Sequence, residues 1–246
     1  MNIVNNDLSK EVIKSSIEAA TGFLNKIVGP ASEEIGNLLG EKIRFWRFKN
    51  AIETVLKAES YLKKRNLSPK QVNLKTLSQI LEGSSLEEDK SMTERWAWLL
   101  ANAASSESEL SVPPSFPSVL RELSSNDAII LDKIYDIITG NIKGLHSYPH
   151  ADMQGVYGRG VLGKHVFEDL NVTQMEFEII IDNLRRLNLI YDILKNMEPI
   201  YQMGFKTAQT RIEDPTIPYH LRCLIFLTHY GYYFVKACRG NEEVVV

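Results

Sequence analysis

Residues 91–104, Ser-Met-Thr-Glu-Arg-Trp-Ala-Trp-Leu-Leu-Ala-Asn-Ala-Ala, carry the clearest structural signal in this chain. Met92, Trp96, Leu99, Leu100 and Ala103 fall at i, i+4, i+7, i+8 and i+11, which is one face of a helix. Ala97, Ala101 and Ala104 add a second stripe of small side chains, where another backbone can approach closely. Trp98 points away from the Trp96 face, so the helix is expected to have neighbours on two sides. Ser91 and Glu94 have the S-x-x-E spacing of a capping box, which predicts the helix start at Ser91. Glu87, Glu88 and Asp89 put negative charge where the helix dipole is positive. Nothing in the stretch does chemistry. It reads as the central strut of a helical domain.

On its N-terminal side, residues 41–65 predict a second firm helix, with Phe45, Phe48, Ile52, Val55 and Leu62 as its buried stripe. Between Glu41 and Lys75 there are ten Lys/Arg against three acidic residues, whereas the whole chain carries a net charge of −3. A neutral average therefore hides a basic arm, 41–75, on an acidic body. Arg44, Trp46, Arg47, Lys63, Lys64 and Arg65 are its candidate contacts for phosphates or anionic lipid head groups. The plainer reading is a solvated face whose long stems cover a hydrophobic core, and the aromatics fall largely on that core stripe. Residues 8–40 read as helix interrupted at Gly22, Gly29-Pro30, Gly36 and Gly40. They suit a hairpin packed on the body, or an amphipathic segment that lies on a membrane surface. A shorter helix with Leu74, Leu77, Ile80 and Leu81 inward should end near Gly83.

The polar, proline-terminated run from Ser105 to Ser115 is the expected boundary between a helical domain, 1–108, and a second domain, 109–246. Short helices follow around Phe116–Leu123 and from Asp127 to Thr139. Residues 140–163 hold six glycines and are expected to form a loose loop. Gly158, Gly160 and Gly163 spell G-x-G-x-x-G, but no strand precedes them as a dinucleotide site requires, so no cofactor is expected. His146, His150 and Asp152 share the loop without a third firm ligand of fixed geometry, so no metal is expected either.

The last third changes character. Thr173 should cap a helix with Phe177, Ile180, Ile181, Leu184 and Leu187 inward, followed by a strand at Leu189–Ile193. A second strand is expected at Leu221–Leu227, and Thr228 should cap a final helix through Cys238. Helix, turn, helix, strand, connection, strand is a winged-helix order. The fold class expected is mainly α: a helical N-terminal domain followed by a winged-helix-like α+β C-terminal domain. The recognition helix of that module offers Arg185 and Arg186 but also Glu176, Glu178 and Asp182. Residues 161–239 carry nine basic and nine acidic side chains, a poor endowment for duplex binding, which relies on neutralising phosphates. Protein interaction or dimerisation suits such a module better.

Two cysteines, Cys223 and Cys238, point to buried reduced thiols rather than a disulfide framework. The N-terminus lacks a signal-peptide pattern, and no apolar run approaches the roughly 20 residues of a membrane-spanning helix. The expected location is cytoplasmic, with peripheral attachment at the inner membrane as the variant that residues 8–65 would support. His220 and His229 flank Cys223, but a core position explains that cysteine more simply than nucleophilic catalysis, and no enzyme is expected.

Four stretches resemble the abortive-infection alpha (Abi-alpha) family of bacterial proteins. They are Ile27-Val-Gly-Pro-Ala-Ser-Glu-Glu-Ile-Gly, Arg95-Trp-Ala-Trp-Leu-Leu-Ala-Asn-Ala, the run from Pro114 to Ala128, and Leu227-Thr-His-Tyr-Gly-Tyr-Tyr-Phe-Val-Lys-Ala-Cys. Pro114 stands where the family pattern leads one to expect a histidine before Pro-Ser-Phe. All four motifs are structural, so the resemblance implies no catalytic residues. It implies anti-phage defence, in which an infected cell stops growing before progeny are released. The expected function is thus a non-enzymatic defence protein acting by protein interaction, with a protein partner or phage component, and with an anionic membrane surface or a second copy as further partners. The alternative is a nucleic-acid-binding winged-helix regulator. Trp98 joins the candidate contacts as a link between the basic arm and the C-terminal module.

Overall fold

The computed structural model describes residues 3–28, 45–106, 112–142, 144–145, 147–149, 158–193 and 218–240. Within them the chain is mainly α, with an α+β region toward the C-terminus. It forms two compact units: Met1–Glu122 with Lys236–Val246, and Leu123–Val235. The sequence places the division at 108/109. The helix Phe116–Glu122 makes the difference, since it packs on the helix Leu74–Ser85 and its Arg121 reaches Glu82 at 3.5 Å.

The first unit contains α1 (Ile3–Val28), α2 (Phe45–Lys64), α3 (Leu74–Ser85), α4 (Lys90–Ala104) and α5 (Phe116–Glu122). Helix α2 packs most extensively on α4. Lys57 meets Glu94 while Tyr61 meets Trp98, so both partners advance by four residues and the two helices run parallel. The buried face of α2 is smaller than its sequence suggests: Ala51, Thr54, Val55, Ala58 and Leu62 are buried, whereas Phe48 and Ile52 are half-covered. On α4, Met92, Trp96, Leu99 and Leu100 are fully buried, and so are Ala97, Ala101 and Ala104 of the small stripe. Each large apolar side chain removed from water contributes about 1.5–3 kcal/mol. An exposed ion pair contributes about 0–1 kcal/mol, so apolar packing holds this unit and the charges orient it. Gly83 of α3 lets the Trp96 ring lie on its backbone, because a Cβ there would sit 2.4 Å from the ring. Helix α1 buries Ala20, Phe23, Leu24 and Ile27 and packs on α2. Its last turn is tied by Val72 N–H donating to the Ile27 carbonyl at 2.8 Å.

The start of α4 departs from the capping box. The N-cap is Asp89, whose carboxylate accepts from Ser91 N–H (2.7 Å), Met92 N–H (3.1 Å) and the Ser91 hydroxyl (2.6 Å). A carboxylate one position before the helix satisfies two orphan N–H groups and complements the dipole, which a serine hydroxyl inside the first turn cannot match. Glu94 is released from capping and instead accepts from the Tyr61 hydroxyl and pairs with Lys57 at 2.7 Å.

The second unit contains α6 (Ser125–Thr139), β1 (Tyr148–Pro149), β2 (Arg159–Leu162), α7 (Gly163–Phe167), α8 (Gln174–Arg186), β3 (Ile190–Ile193), α9 (Tyr219–Arg222), β4 (Leu224–Leu227) and the start of α10 (His229–Cys238). The strands form an antiparallel sheet in the order β1-β2-β4-β3. All four residues of central β4 are buried, as a strand covered on both faces requires. Helix α6 begins at a capping box between Ser124 and Asp127 and ends at Gly140, whose φ of +83° suits a residue without a side chain. α6 packs on α8, β2 and β4.

Two expectations change here. The segment read as a loose glycine loop contains β2: Gly160 pairs with Phe226, and a Cβ on it would stand 2.5 Å from that ring. Gly163 opens α7 against the His220 carbonyl, which lies 1.9 Å from where a Cβ would be. The G-x-G-x-x-G glycines therefore straddle a strand, and Gly160 and Gly163 serve close packing, where a phosphate-binding turn would have to follow the strand. The strand expected from Leu221 instead starts at Leu224, because Pro218 launches the short helix α9, with Leu221 N–H bonded to the Pro218 carbonyl. Gly29 to Arg44, the linker 107–111, His146, His150, Asp152 and the connection 194–217 lie outside the described residues.

Asp89→Ala should destabilise the protein by about 0.5–2 kcal/mol, and Ser91→Ala by no more than about 0.5 kcal/mol. Urea unfolding of the two variants checks the assignment; a larger loss for Ser91→Ala would restore the capping box.

Candidate interaction site

Helix α8 is committed on one face and open on the other. Thr173 starts it: its hydroxyl accepts from Glu176 N–H at 3.3 Å, while the Glu176 carboxylate accepts from Thr173 N–H at 2.7 Å and from its hydroxyl at 2.8 Å. These bonds from Thr173 favour the charged form and hold the Glu176 carboxyl below the usual range. Phe177, Ile180, Ile181 and Leu184 are buried. Asn183 adds an anchor by donating to Asp127 of α6 at 3.1 Å.

Met175, Ile179, Asp182 and Arg186 follow at i, i+4, i+7 and i+11 on the opposite face. Met175 is 72% exposed and Ile179 62% exposed. Single exposed apolar side chains are ordinary, but two on successive turns of one face make a patch. By helical spacing Glu176 flanks the pair on one side and Glu178 on the other, with Asp182 one turn further along. Glu178 accepts from Gln174 at 2.9 Å.

Both arginines of this helix bond to neighbours in their own unit, Arg185 half-buried and Arg186 exposed. Arg185 donates to Asp182 at 3.2 Å and to Asp192 of β3 at 2.7 Å. Arg186 donates through Nε and Nη2 to the Asn183 side-chain oxygen Oδ1 at 3.2 and 2.8 Å. The sequence reading selected both arginines and passed over Met175 and Ile179. Their signal was present: both fall off the inward stripe of Phe177, Ile180, Ile181 and Leu184, on a helix otherwise polar there.

The candidates on the basic arm lie in the first unit, and several are engaged. Arg47 donates to the Ser85 hydroxyl at 3.1 and 3.3 Å. Lys63 pairs with Glu59 at 3.0 Å, and Lys26 of α1 reaches the same carboxylate at 3.5 Å. Burial works to lower the Lys57 pKa, but its bonds to Glu94 and Glu53 outweigh that and raise it above the ordinary value. Arg65 lies over the Trp98 ring at 5.9 Å, and Trp98 stacks on Tyr61 at 3.9 Å between ring centres. Gly240 closes on the same tryptophan, since a Cβ on it would stand 2.5 Å from the ring. The described contacts of Trp98 thus fall within the first unit, where it clamps α2, α4 and the returning C-terminal residues. Lys64 is exposed at the end of α2. Trp46 belongs to α2, with its side chain outside the description, and Arg44 lies outside it altogether.

Cys223 is fully buried and donates to the Tyr219 carbonyl at 3.2 Å. Burial and the nearby Asp192 carboxylate push its thiol up to about 12, with Arg185 opposing. A nucleophilic cysteine needs the reverse shift. Among the described residues no group of three or more His, Cys, Asp or Glu is placed to hold a metal ion, and no helix is long and apolar enough to cross a membrane.

The chain belongs to the abortive infection alpha family, whose profile matches residues 41–238. That range contains the stretches beginning at Arg95, Pro114 and Leu227, while the run from Ile27 to Gly36 lies before it. No curated protein and no solved structure matches the chain.

In the unfolded chain a thiol ionises near pH 9, whereas Cys223 in the fold stays protonated until about 12. Its contribution to stability is therefore complete below pH 9 and declines as pH rises toward 12. Cys223→Ala should flatten that alkaline decline, as measured by denaturation across this range. Native protein should also react with thiol reagents at Cys223 only on unfolding.

Proposed function

We propose that this abortive-infection family member acts by docking a protein partner on the exposed face of α8, without chemistry of its own. The observation that carries the reading is the outward pair Met175 and Ile179, on a helix whose arginines are occupied by Asp182, Asp192 and Asn183. We read the second unit as a winged helix: α6, β2, α7, α8, β3 and β4 follow in that motif's order, with the strands arranged β2-β4-β3. In that motif α8 is the helix that meets the target.

Duplex binding would ask this helix to neutralise phosphates, and its first two turns present carboxylates instead. Membrane attachment through α1 would ask Ala20, Phe23, Leu24 and Ile27 to leave the core they already fill. Protein docking uses what is exposed without unmaking what is buried. It also suits a cytoplasmic protein that waits for a phage component or a host partner.

The test is phage plating on cells carrying wild-type protein or the double variant M175Q/I179Q. Exposed substitutions of this kind should shift stability by no more than about 0.5 kcal/mol. Loss of protection with an unchanged unfolding temperature is expected. Full protection by the double variant would overturn the reading, as would duplex binding that depends steeply on salt and is lost in R185Q/R186Q.

A further inference from the structure

We propose that the occupant of the α8 face is a basic amphipathic helix of a partner protein, aliphatic along its centre and lysine- or arginine-bearing along both edges. This rests on the reading of α8 as a docking face and specifies what it receives. The argument is charge complementarity around a small apolar ridge. Met175 and Ile179 lie on successive turns of one i, i+4 row, and such a ridge fits the groove between two rows of another helix. Glu176 and Glu178 stand on either side of the pair, while Asp182, one turn further along, is paired with Arg185 at 3.2 Å. The bonds from Thr173 keep Glu176 ionised. A partner helix that buries the apolar pair therefore meets a carboxylate at each edge, and basic edges on that helix satisfy both.

A second copy of this chain fits less well. The antiparallel register that lays Met175 on Ile179 brings Glu176 of one copy beside Glu176 of the other, and Glu178 beside Glu178, like charge on like. The face is also a single helix of 13 residues, roughly 20 Å long, small beside the roughly 1,200–2,000 Å² that a stable interface buries. A short helix from a partner matches its dimensions.

The experiment uses the full chain and two labelled synthetic helical peptides. One is built from Leu, Ala and Lys with its leucines on one face; the other replaces every Lys with Glu. Fluorescence anisotropy should show binding of the Lys peptide alone. That binding should weaken about tenfold or more in M175Q/I179Q, and weaken in E176Q/E178Q and with added salt. Gln at 176 still completes the capping box, so the charge is removed while the helix start is kept. Equal binding of both peptides, or binding of the Lys peptide that neither double variant alters, would overturn the proposal. So would a dimer in light scattering that M175Q/I179Q dissolves. If M175Q/I179Q abolishes protection while the peptides bind alike, the docking face stands and its basic partner falls. If the Lys peptide binds as expected and M175Q/I179Q still protects, the functional reading falls instead.

Discussion

The first unit depends on the seam where Phe45–Lys64 and Lys90–Ala104 run side by side in parallel. Small residues set the spacing there: Ala51 and Ala58 on one helix, Ala97, Ala101 and Ala104 on the other, all buried. Parallel helices align their dipoles unfavourably, and the helix Leu74–Ser85 makes that arrangement possible by returning the chain between them. Along the edge of the seam, Lys57 sits between Glu53 and Glu94, and Tyr61 stacks on Trp98. The ion pairs are partly exposed and contribute little depth, but they fix which turn of one helix faces which turn of the other. Trp96 behind the seam and Trp98 at its edge hold opposite sides of one helix.

Much of this was legible because it is periodic. The inward stripes of Lys90–Ala104 and Gln174–Arg186 follow a repeat of 3.6 and are buried as that repeat requires. The Thr173 capping box was legible for the same local reason, since both partners lie within one turn. The misreadings concern features decided by distant neighbours. Asp89 outcompeted Ser91 because Glu94 had a better use across the seam, with Tyr61 and Lys57, which no local spacing reveals. The strand Arg159–Leu162 was hidden because its glycine is needed for a ring 66 residues away in sequence, Phe226. Glycine in a strand reads as looseness until the partner that requires it is in view.

The candidate face was partly legible in the same sense. Sequence reasoning singled out the same helix and looked for charge on it, since cations are what a reading helix offers nucleic acid. Whether a cation is available depends on what it touches. Arg185 bridges to a strand residue, Asp192, whose position follows only once β3 is placed against the helix. With that arginine turned aside, the surface that remains is apolar at its centre and acidic at its rims. Over its first two turns the face is therefore acidic, and the exposed Arg186 stands at its far end.

One topological feature bears on how the protein is made. Residues 236–240 belong with the first unit: Asn102 donates to the Ala237 carbonyl at 2.9 Å, across 135 positions of sequence, and Gly240 rests on Trp98. The second unit is thus inserted within the first. On the ribosome the inserted unit emerges whole before the outer one receives its closing strap, so its cooperative folding precedes completion of the helical unit. A chain interrupted before Lys236 would carry the α8 face in a finished module while Trp98 still lacked its Gly240 contact, so synthesis itself orders the two halves of the molecule in time.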